Sequence, residues 1–96
     1  MKKLSNKRIS ELIDKAINDM SEWDNSHTIN EIYSRTINND EYVIDSIRNI
    51  NLIDDEKKLK DELIYWSCSS NYWIGVSALM TAYEERLDLV IRYKSK

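Results

Sequence analysis

From Ser5 to Trp23 the chain reads SNKRISELIDKAINDMSEW, and its apolar residues Ile9, Leu12, Ile13, Ala16, Ile17, Met20 and Trp23 recur with three- and four-residue spacing. That period lets an α-helix present one broad apolar stripe to a core. Glu11, Asp14, Asn18 and Glu22 fall largely on the other side. A half-buried strand would alternate instead. The rest of the 96 residues agrees with this reading, since they contain no proline and a single glycine, Gly75. Hairpins, bulges and tight turns draw on both residues, whose ordinary usage is about 5% and 7%. A chain without them turns on Asn, Asp and Ser between continuous helices.

Four further helices follow. Asp24-Asn25-Ser26-His27 forms a turn, and Thr28-Ile29-Asn30-Glu31 has capping-box spacing, in which the Thr hydroxyl and Glu carboxylate each satisfy a backbone N–H. Ile29, Ile32, Tyr33, Thr36 and Ile37 are expected to face inward from this second helix, and Asn38-Asn39 to break it. A third helix, Asp40 to about Ile50, turns Val43, Ile44, Ile47 and Ile50 inward. After a connection at 51–53, Asp54-Asp55-Glu56 open a fourth helix at the positive end of its dipole, and Leu59, Leu63 and Trp66 continue the buried phase. Ser67-Cys68-Ser69-Ser70-Asn71 reads as a turn, with a continuous helix as the alternative. The fifth helix spans about Asn71 to Tyr93, with a seam of Trp73, Val76, Met80, Tyr83, Leu87 and Val90. Gly75 inside that helix costs about 1 kcal/mol against Ala, which points to close packing there.

Asn39-Asp40-Glu41-Tyr42-Val43-Ile44-Asp45-Ser46-Ile47 matches Ser70-Asn71-Tyr72-Trp73-Ile74-Gly75-Val76-Ser77-Ala78 faintly, at an offset of 31 residues. Each segment follows a helix. This pairing over residues 28–93 resembles the HEAT type of α-solenoid repeat, although the proline common in such repeats is missing and the unit is shorter than the usual ~40 residues. The resemblance implies a stack of two units with the first helix as a cap. The expected fold is therefore all-α, one domain of about five helices over residues 1–96, as a small HEAT-like stack or an irregular helical bundle.

Cys68 is the sole cysteine, so no internal disulfide staples the fold, as suits a reducing cytosol. The start, Met1 to Arg8, has a basic head with no apolar stretch behind it, so no export signal is expected. No run approaches the ~18 apolar residues of a membrane span. The expected location is the cytoplasm, away from membranes.

Chemistry-bearing constellations are sparse. His27 is the one histidine, in a loop, which excludes two-His and His-rich metal spacings. Cys68 among serines reads as an inert helix-end thiol. The carboxylate clusters Asp40-Glu41, Asp54-Asp55-Glu56 and Glu84-Glu85-Asp88 fall on exposed faces or helix starts, without a cleft to separate their pKa values. Phosphate-cradling glycine loops and the EF-hand pattern are absent. Expected are no enzymatic activity, cofactor, metal or small-molecule substrate.

Surface recognition remains. Net charge is −3, yet Glu11 to Glu56 holds twelve acidic residues against three basic ones. The basic residues gather at the ends, at Lys2, Lys3, Lys7 and Arg8, then at Arg92, Lys94 and Lys96. Glu22, Asp40, Glu41 and Asp45 make an acidic edge on the first and third helices. Glu41 and Asp45, four apart, repel by about 0.2–0.5 kcal/mol, which Arg48 relieves in part. Trp66 and Trp73 share the buried phase, while Tyr65 and Tyr72 lie off it as candidate interface anchors. Nucleic-acid binding is disfavoured, because no Lys or Arg occurs between Lys60 and Arg86. The expected partner is a basic protein. The leading expectation is an immunity protein or antitoxin that covers a nuclease-type toxin domain, whose active site is cationic because it grips phosphates. A phage-encoded inhibitor of a host nuclease and a non-inhibitory helical adaptor are the alternatives.

Overall fold

Among the described residues, five α-helices form in the order α1 (Asn6–Asn25), α2 (Ile29–Ser34), α3 (Ile37–Arg48), α4 (Glu56–Ser69) and α5 (Val76–Arg86), with a 3₁₀ turn at Ile50–Leu52 between α3 and α4. The computed structural model describes residues 1–35, 37–69 and 73–89, and no strand occurs among them. The chain is all-α, as its periodicity requires.

Ser5 caps α1, its side chain accepting from the Arg8 N–H at 3.1 Å. Ile9, Leu12, Ala16 and Met20 are buried along one side of α1, but Ile17, expected in the same stripe, is exposed. The neighbouring helices cover a narrower arc than the apolar pattern offers. Thr28 and Glu31 form the expected capping box, with Glu31 N–H donating to Thr28 Oγ1 at 3.3 Å and Thr28 N–H to Glu31 Oε1 at 3.1 Å. The inward face expected for α2 does not form: none of its residues is buried, and Ile29 and Tyr33 are 69% and 81% exposed. Six residues are too few to carry a packed stripe, and capping alone sets this helix. Thr36 lies outside the described residues.

The expected break at Asn38-Asn39 falls earlier. Arg35 is extended (φ −75°, ψ 137°), and α3 starts at Ile37 and runs through both asparagines. The first turn of a helix leaves its N–H groups free, so Asn is well placed there. Val43, Ile47 and Ile50 are buried as expected, with Ile44 partly so. Helix α4 continues through Ser67 and Cys68 to Ser69, so the turn does not begin at Ser67, while Ser70 and Asn71 lie outside the described residues and the non-helical Trp73–Gly75 separate α4 from α5. Ser67 returns its hydroxyl to the Ile64 carbonyl at 2.7 Å, which satisfies it without ending the helix.

The expected fifth helix is shorter at both ends. Gly75 precedes it, at φ +85° in the left-handed region, and Asp88 at φ +58° follows it. Left-handed backbone stops a helix, and Asp tolerates it better than most residues. The close packing expected at Gly75 is real, although its cause is a cap: an added Cβ would lie 2.9 Å from Met20 Cε and 3.3 Å from Ala16 Cβ. Helix α5 is central, packed against α1, α3, α4 and the 3₁₀ turn. Hence Val76, Ala78, Leu79, Ala82, Tyr83 and Arg86 are all buried, many more faces than a single seam provides. Of that seam, Val76 and Tyr83 are buried, Met80 and Leu87 are partly covered, and Val90 lies outside the described residues.

Arg86, 1% exposed, is the polar centre of the fold. Its guanidinium donates to the carbonyls of Lys2 (2.5 Å), Ile53 (2.9 Å) and Ile50, and its own carbonyl accepts from the Lys2 N–H at 3.1 Å. Asn51 completes this strap: its side chain accepts from the Leu4 N–H at 2.9 Å and donates to the Leu4 carbonyl at 2.8 Å. The N-terminal segment is thereby held against the 3₁₀ turn and the end of α5. The two segments that match at an offset of 31 residues take different conformations, one as α3 and the other, where described, as the turn at Trp73–Gly75 and the start of α5. The architecture is the irregular bundle, built around α5.

Candidate functional site

Helices α3 and α4 both rest on α5. Between them lies an open groove of about 380 Å³, with Tyr42, Asp45, Leu52, Ile53, Lys58, Glu62 and Tyr83 among the residues that line it. Tyr83 belongs to the core of α5, so its position is dictated by burial; its hydroxyl donates to Glu62 Oε2 at 2.5 Å. Burial pushes the Tyr83 phenol far above its usual range. The hydrogen bond and charge of Glu62 push the same way, and the Trp66 indole opposes them. Tyr83 is therefore a neutral donor at every physiological pH.

Next to the groove is an aromatic cluster. Trp66 is buried; the Trp73 ring meets it edge-on at 5.0 Å, Tyr65 at 5.1 Å, and Tyr42 lies 5.7 Å from Trp66 and 5.8 Å from Trp73. Such edge-to-face and tilted pairs contribute about 0.5–1.5 kcal/mol each beyond area burial. The two tyrosines stay half outside, Tyr42 at 54% exposure and Tyr65 at 57%. Packing against a buried tryptophan orders these rings, yet leaves each with an open face. Ile64, beside Tyr65 on α4, is exposed as well.

The acidic candidates divide. Glu41 and Asp45 are exposed on α3, either side of Tyr42 and Ile44, and line a second shallow depression with Ile44 and Arg48. Arg48 bridges Asp45 at 2.6 Å, the expected relief of like charge. Tyr65 packs on Trp66 and lines neither depression. Asp40 does not: it is half-buried and held by Arg35 at 3.0 Å, while a second Arg35 contact reaches Asp24 at 2.9 Å. Burial pushes the Asp40 carboxyl up, more than Arg35 pulls it down, and the like charge of Asp24 adds to the rise. Asp40 thus fastens the start of α3 to the end of α1. Glu22 lies on α1, accepting from Asn18 at 3.2 Å, and is not among the residues lining either depression. Tyr72 lies outside the described residues, as do Arg92, Lys94 and Lys96 of the basic C-terminal end.

Sequence reasoning missed Tyr42, which it used only as part of a repeat. Its position one before the buried Val43 on a helix with a strong apolar phase was the available signal. It also missed Arg35, whose guanidinium lies 5.0 Å over the Trp23 ring, with His27 stacked on that ring at 3.8 Å. His27 Nδ1 donates to the Trp23 carbonyl at 2.6 Å, which closes the end of α1 and gives the histidine a structural task. Of the carboxylates expected on exposed faces, Glu85 is drawn inward by Arg8, whose Nε and Nη2 reach it at 2.8 and 2.6 Å. Cys68 is exposed. Among the described residues, no three His, Cys, Asp or Glu side chains gather as a metal site would require, and no helix is long and apolar enough to cross a membrane.

No protein-family model matches this chain, and no curated protein or solved structure matches it either.

Proposed function

We propose that the protein is a stoichiometric inhibitor, an immunity protein or antitoxin, that covers the cationic surface of a nuclease-type toxin domain with its α3–α4 face. The observation that carries this reading is half-exposed Tyr42, ordered on Trp66 with Tyr65 on the same tryptophan, next to the exposed acidic edge of Glu41 and Asp45, of which Asp45 is paired with Arg48. Rigid aromatics give contact area at low entropic cost, and acidic rims speed encounter with a basic surface. Of the α4 cations, Lys57 is paired with Asp61 at 2.9 Å and Lys60 with Glu56 at 3.6 Å, which leaves Lys58 as the one that opposes this field.

The test is capture of partners from the source cells with the wild-type chain and with Glu41→Lys/Asp45→Lys, followed by association kinetics at low and high salt. Both residues are exposed, so the variant keeps the wild-type melting temperature. Association slows by about tenfold or more at low salt, and the gap closes at high salt. Equal kinetics and an equal salt slope would move the binding surface elsewhere. A basic partner with no nuclease activity, or one unaffected by binding, would make the protein an adaptor instead.

A further inference from the structure

We propose that the groove between α3 and α4 is a receptor for one arginine side chain presented by the partner, an inference that rests on the protein-binding reading above and sharpens it. At about 380 Å³, the groove is at the lower end of ligand-sized pockets, suited to a long side chain and too small for a helix. Its two walls each carry a carboxylate, Asp45 from α3 and Glu62 from α4. Glu62 is half-buried and fixed through one oxygen by the Tyr83 hydroxyl; its other oxygen, Oε1, has no hydrogen-bond partner among the described residues. A carboxylate already oriented on the groove wall is a ready acceptor for a guanidinium fork.

The remaining lining fits the rest of an arginine. Leu52 and Ile53 offer apolar surface for the aliphatic stem, and the Tyr42 ring offers a π face for the planar head. Asp45 already accepts a guanidinium, that of Arg48, in an exposed pair that exchanges at little cost. Lys58 also lines the groove and opposes a cation in charge, but it is exposed and screened by water more than half-buried Glu62. Planarity and the aromatic wall favour Arg over Lys.

The experiment is a titration of the ¹⁵N-labelled full chain with N-acetyl-arginine methylamide, and in parallel with the lysine and glutamate analogues. Arginine gives saturable chemical-shift changes confined to the surroundings of Tyr42, Asp45, Glu62 and Tyr83; lysine binds more weakly, and glutamate gives none. Glu62→Gln, which still accepts from Tyr83, and Asp45→Asn, at an exposed position, each weaken arginine binding by about tenfold with the fold's spectrum retained. Equal responses to all three probes, shifts elsewhere, or unchanged affinity in both variants would overturn the proposal. The test needs no partner, so it separates the two readings. Arginine binding without charge-sensitive capture would leave the groove a receptor and remove the inhibitor reading. Charge-sensitive capture without arginine binding would do the reverse.

Discussion

At the scale of single residues, Gly75 and Asp40 do work that their types do not announce. Gly75 combines a left-handed φ with close contacts, so that an added methyl would meet Ala16 Cβ at 3.3 Å and displace the flexible end of Met20. Gly75→Ala is expected to cost about 2–4 kcal/mol, from backbone strain and overpacking together, read from urea unfolding. A loss under about 0.5 kcal/mol would mean that Met20 moves aside and the backbone relaxes. Asp40 is raised above its ordinary value of 3.8 by burial. The folded chain then binds more protons than the unfolded chain from that pH upward. Its contribution is most favourable below the unfolded value and declines as pH rises through the folded one. Asp40→Asn should flatten the fall in stability as pH rises above 3.8, measured as urea midpoints; an unaltered profile would assign the slope to other groups.

Elements differ in what holds them. Helix α2 was legible in sequence to the residue at its start, because a capping box is local chemistry among four neighbours. Its inward face was not, because burial depends on what lies opposite. Thr28→Ala should remove about 1 kcal/mol of helix stability. Since no residue of α2 is buried, the global unfolding midpoint should barely move, while amides 29–34 exchange faster with deuterium. A large shift in the midpoint would show that α2 is coupled to the core. Helix α5 is the opposite case, with weak amphipathicity and burial on most sides. A helix surrounded by others needs no polar face, so the seam seen in sequence was a subset of its contacts.

For the whole molecule, the strap at residues 1–4 closes the bundle through Arg86 and Asn51. Restarting the chain at Ser5 removes buried Leu4 and the Lys2 carbonyl that Arg86 uses. The expected loss is about 2–3 kcal/mol by urea titration, mostly the burial of one leucine. A truncated chain as stable as the full one would make the strap a passive tail.

Period, caps and turn residues alone made legible that the chain is helical, how α2 is capped, and which faces of α3 and α4 turn inward. These signals act within a few positions of one another. The alignment at an offset of 31 residues misled, because similar short patterns took different places around α5. Only the tertiary structure decided that α5 is central, that Arg86 is buried, and that Asp40 is spent on Arg35. It also brought Tyr42, Asp45 and Glu62 together around one groove. The physical reason is that burial and pairing belong to contacts between residues distant in the chain, such as Arg8 with Glu85 or Lys2 with Arg86, and no local pattern encodes them.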